Sequence, residues 1–135
     1  MNILEKIFKK REQYPLVIHP NPNAPFPIRK RWRFWRGKST SRTIDWHPGN
    51  NELDDVSYLD DPERYPDNID LVLSGQMADA CVKRKLQALA GHPRIRNGHV
   101  KVIVDRQGTM ERNPGEIDKV VSTINKDRKV KFTIK

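Results

Sequence analysis

Between Arg29 and His47 the chain carries five arginines, two lysines and three tryptophans. These are the residues with the clearest chemical potential. Guanidinium groups grip phosphate or carboxylate as planar forks. An exposed indole can stack on an unpaired base. Read with a period of two, Trp32 and Phe34 share one face of a strand, while Arg31, Arg33 and Trp35 share the other. Gly37 to Thr40 reads as a turn, and Ser41 to Trp46 as a second strand. In the matching register Phe34 faces Ile44, Trp32 faces Trp46, and Arg33 faces Asp45. This predicts a basic β-hairpin over 29–47 with an outward arginine face.

From that face follows the first functional expectation, a non-enzymatic module binding RNA or single-stranded nucleic acid. Arg31, Arg33, Trp35, Arg36, Lys38 and Arg42 would form the main contact. Arg94, Arg96, Lys101 and Lys131 would add electrostatic support. The plainer reading is that the charges keep an edge strand soluble and pair with acids. A second expectation belongs to another class. It is a small structural or interaction subunit of a ribonucleoprotein or viral particle, or an inhibitor of a host protein. Such a subunit would use residues 1–28 as an arm and the acidic belt 52–70 as a contact surface.

Composition sets the bounds. The 135 residues suit one domain with an extension. The net charge of +9 favours an anionic partner or an acidic protein surface. That charge is divided: residues 1–50 hold 11 Lys/Arg against 3 acids, residues 51–74 hold 1 against 8, and residues 75–135 hold 14 against 6. An acidic belt therefore separates two basic blocks. The single cysteine, Cys81, rules out an internal disulfide, and no secretory-type apolar core opens the chain. An intracellular, reducing setting is expected. No apolar run has the length of a membrane span.

The elements that must position these residues are legible in order. Asn2–Gln13 reads as a short amphipathic helix. Leu16–Ile18 reads as a brief edge strand, and the prolines from Pro20 to Pro27 as an extended arm. Residues 51–68 form an acidic connector with a helical turn near Leu53–Leu59. Ile69–Leu73 is a strand, and Ser74 is read as the cap of a helix reaching Ala90. Cys81 on that helix is read as a small core residue and not a nucleophile. Gly91-His92-Pro93 stops the helix, and Arg94–Gly98 is a basic loop. Val100–Val104 is a strand, Asn113-Pro114-Gly115-Glu116 opens a helix, and Val130–Ile134 is a last strand. The expected architecture is α+β, a two-layer mixed sheet. It joins a C-terminal β-α-β-α-β unit over 69–135 to the N-terminal hairpin, the domain spanning 29–135.

The enzyme motifs are absent: no Walker loop, no dinucleotide glycine pattern, no His-Glu-x-x-His. No enzyme, cofactor or metal site is expected. Asp45 and His47 are two ligands short of a zinc set. A remote alternative places a site at the strand ends near Ser74 and Asp105, with His92 or His99.

Overall fold

A computed structural model describes residues 11–38, 45–47 and 53–135. Five strands form one sheet, β1 (Glu12–Ile18), β2 (Asp45–His47), β3 (Ile69–Gly75), β4 (Val100–Thr109) and β5 (Thr133–Ile134). The spatial order is β2-β1-β3-β4-β5, and every pairing is parallel. The helices are α1 (Phe26–Lys38), α2 (Cys81–Ala90), the single turn α3 (Pro93–Arg96) and α4 (Glu116–Arg128). The fold is thus α/β with a parallel sheet, and the expected mixed α+β sheet is corrected.

The β-α-β-α-β reading of the C-terminal half holds. β3, β4 and β5 are neighbours, joined by α2 with α3 and then by α4. Helical crossovers of this kind bring parallel strands side by side. Tyr14, Leu16, Ile18, Leu71, Leu73, Val102 and Val104 bury one face of the sheet against Val82, Leu86 and Leu89 of α2 and Ile117, Val121 and Ile124 of α4. α4 begins at Glu116 with Gly115 as its cap, so the expected capping box from Asn113 does not form; Glu116 instead accepts the N–H of Asn113, outside the helix, at 3.0 Å. The Asn125 side chain then holds both the N–H and the carbonyl of Phe132, which brings the chain back for β5.

The N-terminal half departs most from expectation. Residues 29–38 are helical and form no hairpin. Ile28, Trp32 and Trp35 recur at i, i+4 and i+7, one stripe of a helix. A strand would put the two indoles on opposite faces; in α1 both are buried. Pro27 sits in the first turn, where no backbone donor is lost. β2 does keep part of the expected second strand, but its partner is β1, with Val17 opposite Trp46. Nor is β1 an edge: it lies between β2 and β3 and spans residues assigned to an arm, while α1 crosses the proposed boundary at 28/29. Glu12 and Gln13, read as helix, belong to β1; residues 1–10 lie outside the described residues.

α1 covers the second face of the sheet, so the layers number three. Trp32 packs on Val17 and Ala24, with Ile28 and Met110 alongside. The acidic connector closes the first face. Leu53, Leu59 and Tyr65 enter the main core, and a 3-10 turn spans Ser57–Asp60. No described helix is long and apolar enough to cross a membrane.

Candidate functional site

In open parallel sheets, ligands bind outside the carboxyl ends of the strands, beside the point where strand order reverses. Here that point adjoins β1, whose neighbours are β2 and β3. Ile18 pairs with Gly75, and the Gln76 N–H donates to the Ile18 carbonyl at 3.1 Å. His19 and Gln76 therefore leave adjacent strands side by side. His19 adopts a left-handed backbone, φ 49°. Gly75 has φ 131°, and a Cβ there would lie 2.1 Å from the Ile18 carbonyl oxygen, so no side chain fits. The Gln76–Met77 peptide is cis.

Two buried side-chain atoms at this end, His19 Nε2 and Ser74 Oγ, have no hydrogen-bond partner among the described residues. Buried polar atoms of this kind are uncommon. Ser74 is a strand residue and not a helix cap; α2 begins seven positions later, at Cys81. That places Cys81 at the amino end of a helix and not in its middle; it packs against the main core, as a small apolar residue would, but is half-buried. The first turn of α2 holds no acid.

Asp105 closes the neighbouring strand. β4 bulges here, with residues 105 to 108 opposite the single Ser74. The Thr109 hydroxyl ties the bulge by donating to the Asp105 carbonyl at 2.7 Å. Asp105 Oδ2 accepts from Arg31 Nε and from Trp35 Nε1, each at 2.8 Å. Trp32 Nε1 donates to the Gly108 carbonyl at 2.9 Å. Gly108 lets these groups meet, because a Cβ would stand 2.9 Å from Ser74 Cβ and 3.0 Å from Asp105 Oδ2. The strand-end pair Ser74 and Asp105 is therefore brought together, but Asp105 is committed to holding α1. His92 and His99 do not join it. His92 caps α3 and touches Asp60 at 2.8 Å. His99 sits just before β4, at the opposite end of the sheet.

The expected nucleic-acid face does not form. Trp35 is buried, and Arg31 is paired with Asp105 while lying over the rings of Phe34 and Trp35. Arg33 and Arg36 are exposed on α1. Lys38 ends α1, and Arg42 lies outside the described residues, as does the Lys38 side chain. Arg94 donates to the Leu59 carbonyl and the Asp67 carboxylate. Arg96 donates to the carbonyls of Ala90 and Arg128. Lys101 and Lys131 are exposed and, with Arg96 and Lys129, line a cavity of about 520 Å³ around the amino ends of β4 and β5. Arg33 and Arg36 line a different cavity, by the turn after β1. In a parallel sheet these are opposite ends, so among the described residues the basic side chains make no continuous surface.

The acidic belt settles elsewhere as well. Asp54 meets Arg84, the Asp55 carbonyl accepts from Lys85 at 2.6 Å, and Asp67 meets Arg94. The Arg84 hydrogen bond holds the Asp54 carboxyl below its ordinary range, and the Arg94 hydrogen bond does the same for Asp67. Lys85 is fully buried and lies over the Tyr58 ring. Its place between Val82 and Leu89 on the apolar stripe was the available signal for that. For His19 the signal was its position directly after an apolar strand. Among the described residues no three ligating side chains cluster for a metal.

No protein-family model matches the chain, and no curated protein matches it. Among solved structures, the nicotinamidase/pyrazinamidase PncA from Bacillus subtilis is similar with a TM-score of 0.45 and 11% identity, over 96% of this chain and 78% of that one. A second structure of nicotinamidase PncA from Bacillus subtilis gives the same figures. With the hairpin replaced by a helix, Trp35 buried and Arg31 paired with Asp105, the RNA-binding expectation is overturned, and nothing in the described fold carries the viral one.

Proposed function

We propose that this chain is a small-molecule hydrolase of the α/β class, with Cys81 as nucleophile and His19 as proton carrier. The observation that carries the reading is the pair of buried, unpartnered polar atoms, His19 Nε2 and Ser74 Oγ, at the carboxyl ends of paired strands. Beside them the chain runs through Gln76 and Met77 to Cys81 at the head of α2. A sulfur nucleophile carries negative charge as it attacks, and the amino end of a helix favours negative charge. Imidazole is the side chain that most often carries the proton in such a step. In the step that follows, the thiol proton passes to His19 Nε2 and sulfur bonds the substrate carbonyl carbon. The leaving amine or alcohol takes that proton. Water then cleaves the thioester, releasing the acid and restoring the thiol.

The test is turnover of a panel of small amides and esters, nicotinamide among them. Hydrolysis of one member is expected, abolished by Cys81→Ala and reduced on the order of 100-fold by His19→Gln. The sole thiol should also alkylate with iodoacetamide faster in the folded chain than in urea. No turnover, together with slower alkylation when folded, would overturn the reading.

A further inference from the structure

The turn after His19 is one wall of a cavity of about 500 Å³, formed by Pro20, Asn21 and Pro22. The opposite wall is a single face of α1, where Arg29, Arg33 and Arg36 are spaced at i, i+4 and i+7 and Trp32 lies between them. The volume is that of a small-molecule site. Among the described residues its lining contains the guanidinium groups of Arg29, Arg33 and Arg36, one amide and apolar rings, and no carboxylate; Arg36 has a partner of its own, so Arg29 and Arg33 are the groups offered to a ligand. Arg29 Nε is fixed by the Ala24 carbonyl at 2.8 Å, which aims that side chain and leaves its remaining donors for a ligand. Arg33 is exposed and, among the described residues, meets no acid. Trp32 is held from behind by its hydrogen bond to the Gly108 carbonyl, which fixes the indole at the cavity floor.

We infer that this cavity holds an oxyanion, a phosphate or carboxylate group carried by a small organic molecule. The inference names the substrate class of the site proposed above and rests on that reading, since His19 and the cavity wall are consecutive residues. A planar guanidinium grips such an oxyanion through two parallel hydrogen bonds, and an exposed arginine gains most from a doubly charged one. The apolar rings accommodate the organic remainder.

Isothermal titration with pyrophosphate and with citrate, in low-salt buffer, separates the two anion types. One of them is expected to bind, and Arg33→Gln should weaken it about tenfold, with Arg29→Gln adding to the loss. Lys101→Gln, at the opposite end of the sheet, removes the same charge and should leave affinity unchanged. Equal losses from Arg33→Gln and Lys101→Gln would mean attraction to net charge alone and would overturn the inference, as would no binding of either anion. An oligonucleotide that binds more tightly than both anions would overturn it too. Cys81→Ala should keep the anion affinity while removing turnover. Intact binding without turnover in the unaltered chain defeats the hydrolase reading alone; turnover that is indifferent to Arg33→Gln defeats the cavity alone.

Discussion

Asp105 shows how much one carboxylate can organise. Its side chain is 3% exposed, and one oxygen accepts both the Arg31 guanidinium and the Trp35 indole. Those donors come from a helix, and the acceptor comes from a strand end on the far side of the chain. Buried charges are tolerated only when paired and hydrogen-bonded. Removing one partner leaves the other stranded. Asp105→Ala is therefore expected to cost about 3–5 kcal/mol, read as a lower urea midpoint at unchanged slope. Replacing the pair together, Arg31→Met with Asp105→Leu, should recover a large part of that loss, because no lone charge remains. A single-variant cost under about 1 kcal/mol would show that the apolar contacts of Trp32 hold α1 without help.

At the scale of elements, α1 is the instructive case. Arg-Trp-Arg-Phe-Trp-Arg satisfies a period of two and a period of 3.6 equally well over so short a span. Two signals favoured the helix: the apolar stripe Ile28, Trp32, Trp35, and the lack of any β-branched residue from Arg29 to Ser39. The two readings make opposite demands on neighbouring aromatics. In the helix Trp35 is 6% exposed and Phe34 is 42% exposed. Trp35→Ala should cost about 3–5 kcal/mol and Phe34→Ser within about 0.5 kcal/mol, both by urea unfolding. The reverse order would restore the hairpin. The second half of the chain was legible because its punctuation is strong. Apolar runs at 69–73 and 100–104 are separated by Gly91 and Pro93, and Asn113-Pro114-Gly115 precedes a clear helical stripe. Ser74 misled because a serine after an apolar run looks like a cap; here the strand continues to Gly75, and the helix starts at Cys81. That offset of one helix start moves Cys81 to the first position of α2, still packed against the main core but only half-buried. The partners of Asp105 lie 70 and 74 positions away, a separation no local pattern encodes.

At the scale of the whole molecule, charge is sorted by the fold in a way its order along the chain does not reveal. The acidic belt lies on the basic surface of α2 and α3, through Asp54 with Arg84, Asp60 with His92 and Asp67 with Arg94. On α4, Asp118 meets Arg106 in the same manner. Hydrogen bonds from these arginines hold Asp54, Asp67 and Asp118 below their ordinary carboxylate range. A group whose folded value is lowered binds fewer protons folded than unfolded. Its contribution is complete above the unfolded carboxylate range and disappears as pH falls through the folded one. The same protonation raises a net charge already at +9, and self-repulsion then opposes the compact state. Stability should accordingly hold from pH 7 to about 5 and decline below about 4. Urea midpoints from pH 7 to 3 measure the decline. Asp54→Asn with Asp67→Asn should flatten it, since the variant has less pairing to lose, and should lower stability at pH 7 by a smaller amount than the Asp105 change. These pairs are solvent-exposed, so 0.5 M salt, with a Debye length of roughly 4 Å, should flatten the decline as well. An acid slope identical in the double variant and the unaltered chain would shift the cause from the belt to overall charge, and the belt would then be a covering layer held by Leu53, Leu59 and Tyr65 alone.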